Sequence, residues 1–318
     1  MPSPVPTVAV EPPAQEPEPE VRCPSPFPGE GTSEAAAPRL TPTADDVPPL
    51  PPFAPLALVP DPELEARIRE RLERQEEGVY AVVVKRIDDG VGVAIDADHV
   101  FYAASLFKVA VMIEAFHQRD AGLLDFGESY VVSDYYDGFD LGPGVLRRCQ
   151  TVTLEEALRA MMAVSDNVAA VLLQDRVGER FVNETLSQLG AQDTALLSDD
   201  LPTTAADQAL LMEAIARGEA VSREASQEML NLLGSETFDF GLPQGLPEGT
   251  LVAHKTGLWH NATHDAGIVF APSGPYVIAV LTDGGFESDA ADVIADVSRI
   301  VYERFEDRFA APPPEEGQ

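Results

Sequence analysis

The sequence predicts an α/β fold: an antiparallel sheet drawn from both ends of one domain, flanked by helices and interrupted by an inserted all-helical part. Three observations predict it. Strand patterns occur at residues 79–95 and again after Gly249; helical periodicity fills most of the stretch from Gly122 to Gly218; and a long apolar-striped helix closes the domain at 288–308. Helix, two strands, helical block, three strands, helix is the order of a discontinuous domain whose two ends share one sheet.

Of the 318 residues, the first 60 hold 18 of the 28 prolines, in runs such as Pro48-Pro49-Leu50-Pro51-Pro52. That composition cannot build a helix or a ladder and reads as a disordered, polyproline-like tether that contributes reach and not chemistry. Residues 61–310 are long enough for one domain with a sizeable core, its α/β part at 61–104 and 250–310 and its helical part at 105–249; residues 311–318 read as a disordered tail.

Pro62 opens a helix with Leu64, Ile68 and Leu72 on one face, ending near Gly78. Val79–Arg86 and Val91–Ile95 read as a strand pair around the Asp88-Asp89-Gly90 turn. Residues 101–104 lead into a helix at 105–117, whose Val109, Met112, Ile113 and Phe116 mark it as buried. Thr153 with Glu156, and Thr204 with Asp207, stand at capping-box spacing, so these acids read as caps and not as catalysts. Strands are expected at 251–256, 266–271 and 276–282, and the last helix turns Val293, Ile294, Val297, Ile300 and Val301 inward.

The formal net charge is -33, of which the first 60 residues account for only -6. A domain this acidic repels nucleic acid and anionic lipid, and no stretch approaches the 18 or so apolar residues of a membrane span. The Met1 end has no basic segment followed by an apolar run, so no signal peptide is expected in this chain. A Pro-rich tether ahead of a domain suits a cell-envelope or extracellular protein. Residues 16–22 are charged, which argues against lipidation of Cys23, and two cysteines as far apart as Cys23 and Cys149 imply no disulfide framework.

The chain carries three lysines against 18 arginines. Arginine cannot give up its proton, so lysine is expected where a compact, deprotonatable amine matters. Two of the three stand in short motifs: Ser105-Leu106-Phe107-Lys108 on a helical pattern and Lys255-Thr256-Gly257 on a strand pattern, with Ser165-Asp166-Asn167 between them at a helix junction. Residues three apart on a helix share a face, so the Lys108 amine can reach the Ser105 hydroxyl and, if burial lowers its pKa, take its proton. The start of that helix also presents unsatisfied N–H groups to a developing oxyanion. Alone, the Ser165 motif is readable as an N-cap cluster; together, in this order and on these element types, the three motifs make coincidence improbable.

This trio resembles the penicillin-recognising serine enzymes, specifically the class A β-lactamase superfamily, over about residues 62–309. The resemblance implies a β-lactamase/transpeptidase-like fold and a set of roles. Ser105 would be acylated, Lys108 would take its proton, and Ser165 would relay a proton to the leaving nitrogen. Asn167 would position Lys108 and a substrate amide, while Lys255 and Thr256 would bind a substrate carboxylate. The N–H groups of Ser105 and Leu258 would form the oxyanion hole, and Gly257 would let substrate lie against the strand. The expected partner is a small-molecule or peptide substrate bearing a carboxylate, acting on a monomer without a cofactor.

The departure lies between Gly190 and Pro202. Class A β-lactamases carry there a longer loop with a Glu-x-x-Leu-Asn stretch whose glutamate activates the deacylating water; residues 191–201 here contain no glutamate, and Asp199 and Asp200 are the nearest carboxylates. The expectation is a β-lactam-opening serine hydrolase, of the antibiotic-resistance type, with slow deacylation. The alternatives are a D-alanyl peptidase or esterase of the same fold, and a penicillin-binding sensor that stays acylated. His254, His260, His264 and Asp265 do not converge on a metal at strand spacing, so no metal site is expected. Asn261-Ala262-Thr263 matches a glycosylation acceptor at a frequency chance explains. Tyr135, Tyr136 and Phe139 are equally readable as pocket wall or core.

Overall fold

The computed structural model describes residues 23, 47–75, 77–139, 142, 144–198, 200–285 and 287–310. Most of the expected tether, the expected tail and Asp199 lie outside these residues.

Strand β1 (Val59–Pro60) is followed by α1 (Pro62–Leu72), whose N-cap Asp61 accepts from the Leu64 N–H at 3.1 Å and is gripped by Arg304 and Arg308 from the far end of the chain. The helix stops at Leu72 and not near Gly78, because residues 73–78 offer no apolar side chain to bury. β2 (Val79–Arg86) and β3 (Val91–Ile95) form the expected antiparallel pair. β4 (Phe101–Tyr102) enters a 3-10 turn at Ala104–Leu106 that runs straight into α2 (Phe107–Asp120).

The helical block continues with the ribbon β5 (Ser129–Val131) and β6 (Thr151–Thr153), then α3 (Leu154–Ala163), α4 (Asn167–Val177) and α5 (Glu179–Leu189). A short β7 (Pro202–Thr203) pairs with β4, and α6 (Ala205–Ala216) and α7 (Arg223–Leu233) complete the block. β8 (Leu251–Trp259), β9 (Ala262–Ala271) and β10 (Gly274–Asp283) form a meander before α8 (Glu287–Ala310). Thr153 and Glu156 make the full capping box on α3. On α6 the box is only half closed: Thr204 caps the Asp207 N–H, while the Asp207 carboxylate turns to Thr194 Oγ1 at 2.8 Å and the Asp193 N–H at 2.9 Å.

The six-stranded sheet runs β1-β3-β2-β10-β9-β8, so the two ends of the domain meet where β2 pairs with β10, Val82 opposite Val280. Both faces of β2 are covered. Ala81 and Val83 face the core shared with α2 and the helical block, while Val82 and Val84 face a second core under α1 and α8. That explains why the strand reads as an unbroken apolar run and not as an alternation. Helix α2 is buried on nearly every side; its Glu114 is satisfied by His117 at 3.1 Å, Gln118 at 2.7 Å and Thr185 at 2.7 Å.

Three expectations need correction. The sheet is mixed and not purely antiparallel, because β1 lies parallel to β3. Packing begins ahead of residue 61: Leu50 is buried, its N–H donates to Gln188 at 2.6 Å, and Phe53 packs on the core beneath the Arg217 guanidinium. The third lysine, Lys85, holds this segment by donating to the Leu56 carbonyl at 3.0 Å while pairing with buried Glu213, whose other oxygen accepts from the Leu56 N–H. Finally, Cys23 and Cys149 do form a disulfide, with 5.0 Å between their Cα atoms. Distance along the chain is no bar to a bridge once the fold brings the two residues together.

Candidate active site

Ser105 sits half-buried in the 3-10 turn, and Leu106 and Phe107 keep helical dihedrals into α2, so Ser105 and Lys108 lie on one continuous helical turn. No side chain caps this start, which leaves the helix's positive end directed at the serine. Ala104, just before the serine, is held at φ 47, a left-handed conformation that costs energy for any residue with a β-carbon. The Ala103 N–H to Leu201 O bond at 2.6 Å and the Phe101–Thr203 pairing fix the chain on the approach to this turn.

Lys108 is fully buried, and its Nζ donates to the Ser165 carbonyl at 2.6 Å, Ser165 Oγ at 3.0 Å and Asn167 Oδ1 at 2.7 Å. Three acceptors match the three protons of an ammonium. Burial, reinforced by the charge of Lys255 and opposed by Asp166 and Glu236, pulls the amine down to about 7. Both protonation states are therefore populated at neutral pH, as a general base requires.

Ser165 also adopts a left-handed backbone, φ 57, which turns its carbonyl and hydroxyl toward Lys108. Asp166 between the two polar residues is structural. One oxygen caps α4 through the Ala169 N–H at 2.8 Å, and the other accepts from Val145 and Leu146 at 2.6 and 2.9 Å. The tripeptide thus divides its contacts: Asp166 caps α4, while Ser165 and Asn167 face Lys108.

Lys255, Thr256 and Gly257 lie on β8, an edge strand packed against the turn that carries Ser105. Gly257 is needed for that packing: a β-carbon there would stand 3.0 Å from the Ala103 carbonyl oxygen and 3.1 Å from Leu106. Leu258 follows, half-buried. The fold therefore gathers all three motifs around one helical turn.

A fourth element joins them that the sequence did not announce. Glu236, on the loop after α7, takes Lys255 Nζ at 2.5 Å and Thr256 Oγ1 at 3.2 Å, and both charged side chains are inaccessible. Burial raises the Glu236 carboxyl and lowers the Lys255 amine, each opposed by the partner's charge. The one available signal was indirect: a lysine in a core strand demands a counter-ion.

His254 and His264 have structural partners. For His254, burial alone would lower the pKa, but Asp265 at 2.9 Å outweighs it and holds the ring above its ordinary value. His264 is lowered by burial; Nε2 faces the Tyr102 carbonyl at 2.9 Å and Nδ1 accepts from the Thr282 N–H at 3.0 Å, a neutral tautomer. Among the described residues, no three His, Cys, Asp or Glu side chains gather as a metal site, and no helix is long and apolar enough to cross a membrane.

The 191–201 loop lies beside the serine turn through β4 and β7. Asn183 clamps it, donating to the Leu196 carbonyl at 2.8 Å and accepting from the Leu196 N–H at 2.8 Å. Exposed Asp200 accepts from the Leu201 N–H at 2.8 Å and is close enough to raise the pKa of Tyr102, after burial of that ring. Tyr136 is buried, whereas Tyr135 and Phe139 are exposed, their rings tilted against each other with centroids 6.2 Å apart.

Comparison with known proteins agrees with this fold. The extended-spectrum beta-lactamase PER-1 of Pseudomonas aeruginosa is 27% identical over 243 residues, 68% of this chain and 79% of that protein. The solved structure of PBP-A matches with a TM-score of 0.74 and 26% identity, covering 81% of this chain and 99% of its own. A beta-lactamase from Sphaerobacter thermophilus matches with a TM-score of 0.69 and 26% identity, covering 79% and 98%. The profile of the beta-lactamase enzyme family spans residues 63–305, the stretch that holds all three motifs, and the chain belongs to that family.

Proposed function

We propose that the chain is an active-site serine hydrolase that opens a β-lactam amide through an acyl-enzyme on Ser105, and that it releases the acyl group slowly. One observation carries the reading: a buried lysine with a pKa near 7, on the same helical turn as Ser105, bonded to both Ser165 Oγ and Asn167. Ser105 Oγ attacks the lactam carbonyl and its proton passes to the neutral Lys108 amine. The carbon–nitrogen bond then breaks, and the leaving nitrogen takes a proton from Ser165 Oγ, which Lys108 replaces across 3.0 Å. Asn167 holds Lys108, and the N–H groups of Ser105 and Leu258 receive the oxyanion.

Slow release is supported by the 191–201 loop, which has no glutamate to activate water. A family base typically contributes about 10²–10⁴-fold. Asp200, and Asp199 outside the described residues, are the substitutes at hand. The same loop favours a second reading, a D-alanyl peptidase or esterase of this fold. A point mutant of the neighbour PBP-A is solved as an acyl-enzyme with penicillin G, with a TM-score of 0.74. The Cys23–Cys149 disulfide fits an oxidising compartment outside the cytoplasm.

An intact-mass time course with a penicillin and a cephalosporin tests this. The expected result is a stoichiometric adduct, absent in Ser105→Ala, that outlasts an ordinary turnover time of about 1 s or less. Fast steady hydrolysis without an adduct would overturn slow release, and no adduct with any acyl donor would overturn the serine mechanism.

A further inference from the structure

Lys255 and Thr256 are the side chains expected to seat a substrate carboxylate, and a carboxylate of the chain itself already occupies them. Each Glu236 oxygen takes one donor: Oε2 the Lys255 ammonium at 2.5 Å, Oε1 the Thr256 hydroxyl at 3.2 Å. The loop that delivers Glu236 is fastened at the next residue, where the Thr237 N–H and hydroxyl both donate to the Ala163 carbonyl at the end of α3, at 2.9 and 3.0 Å. A second carboxylate brought to the same donors would stand against Glu236 in a water-poor site, where like charges repel strongly.

We propose that Glu236 is a specificity-determining residue that fills the carboxylate seat, so that the site prefers neutral acyl donors to the corresponding acids. This rests on the acyl-enzyme reading above. The covalent step is unchanged: the acyl group moves from the donor's nitrogen or oxygen to Ser105 Oγ, and that leaving atom takes the proton Ser105 gives up. An acid must displace Glu236 from a buried ion pair before it can use Lys255, whereas an ester or amide at that position leaves the pair intact.

Benzylpenicillin and its methyl ester share one lactam ring and differ at that carboxylate. With the full chain, the ester is expected to label Ser105 at least about tenfold faster than the acid, by a margin typical of one displaced buried charge. Glu236→Gln keeps the shape and removes the charge, and should shift the ratio at least about tenfold toward the acid. Faster labelling of the unmutated chain by the acid, or a ratio that Glu236→Gln leaves unchanged, overturns the proposal. The comparison on the unmutated chain stands even if the variant does not fold. If neither compound labels Ser105, the acyl-enzyme reading is what fails. Glu236 is then judged by calorimetric binding to the Ser105→Ala chain: tighter binding of the ester supports it, and tighter binding of the acid, or none of the ester, overturns it.

Discussion

At the scale of the residue, the proposed mechanism asks Lys108 to be a cation part of the time and a base part of the time. Its three acceptors suit the ammonium; its burial and the charge of Lys255 suit the amine. If, as proposed, the neutral form takes the Ser105 proton, acylation should rise with pH, falling roughly tenfold per unit below the group's pKa of about 7 and levelling off above it. A rate flat across this range would remove Lys108 as the base. Lys108→Arg keeps the charge and loses the acceptor, so adduct formation should drop by about 10²–10⁴-fold in the same mass assay. Lys108 and Lys255 were legible because lysine is so scarce here. Glu236 was not, since Ser235-Glu236-Thr237 has no pattern of its own and only three-dimensional proximity to Lys255 gives it meaning.

At the scale of the element, the capping boxes and strand runs read well because they are local, whereas the short ribbons β4–β7 and β5–β6 did not, being too brief to show a period. The β4–β7 ribbon matters most. It sets the 191–201 loop beside the serine turn, which places Asp200 as the described carboxylate of that loop nearest in sequence to β7. Asp200→Asn retains the oxygen that accepts from Leu201, so the fold should hold. Expected is an adduct that forms at the normal rate and persists roughly 10²-fold longer, the lower end of a general-base contribution. An unchanged lifetime would leave Asp200 as a turn residue.

At the scale of the whole molecule, the proline-rich segment is partly a structural piece of the domain. Leu50, Phe53 and Leu56 recur every third residue, the turn of a polyproline II helix, and a search for periods of 3.6 and 2 passes over such a face. Deleting residues 1–60, compared with the full chain under reducing conditions so that the Cys23–Cys149 bond is open in both, strips Leu50 from the core, β1 from the sheet and the Leu56 contacts from Lys85 and Glu213. Burial of one or two such side chains is worth about 2–4 kcal/mol, so the thermal midpoint should fall by roughly 5–10 °C. An unchanged midpoint would mean that these contacts add nothing in solution.

The Cys23–Cys149 bond closes a covalent ring in the backbone between two cysteines 126 positions apart. A peptide bond cut anywhere inside that ring leaves both pieces attached, so the nick shows on a denaturing gel only after a thiol has reduced the bond.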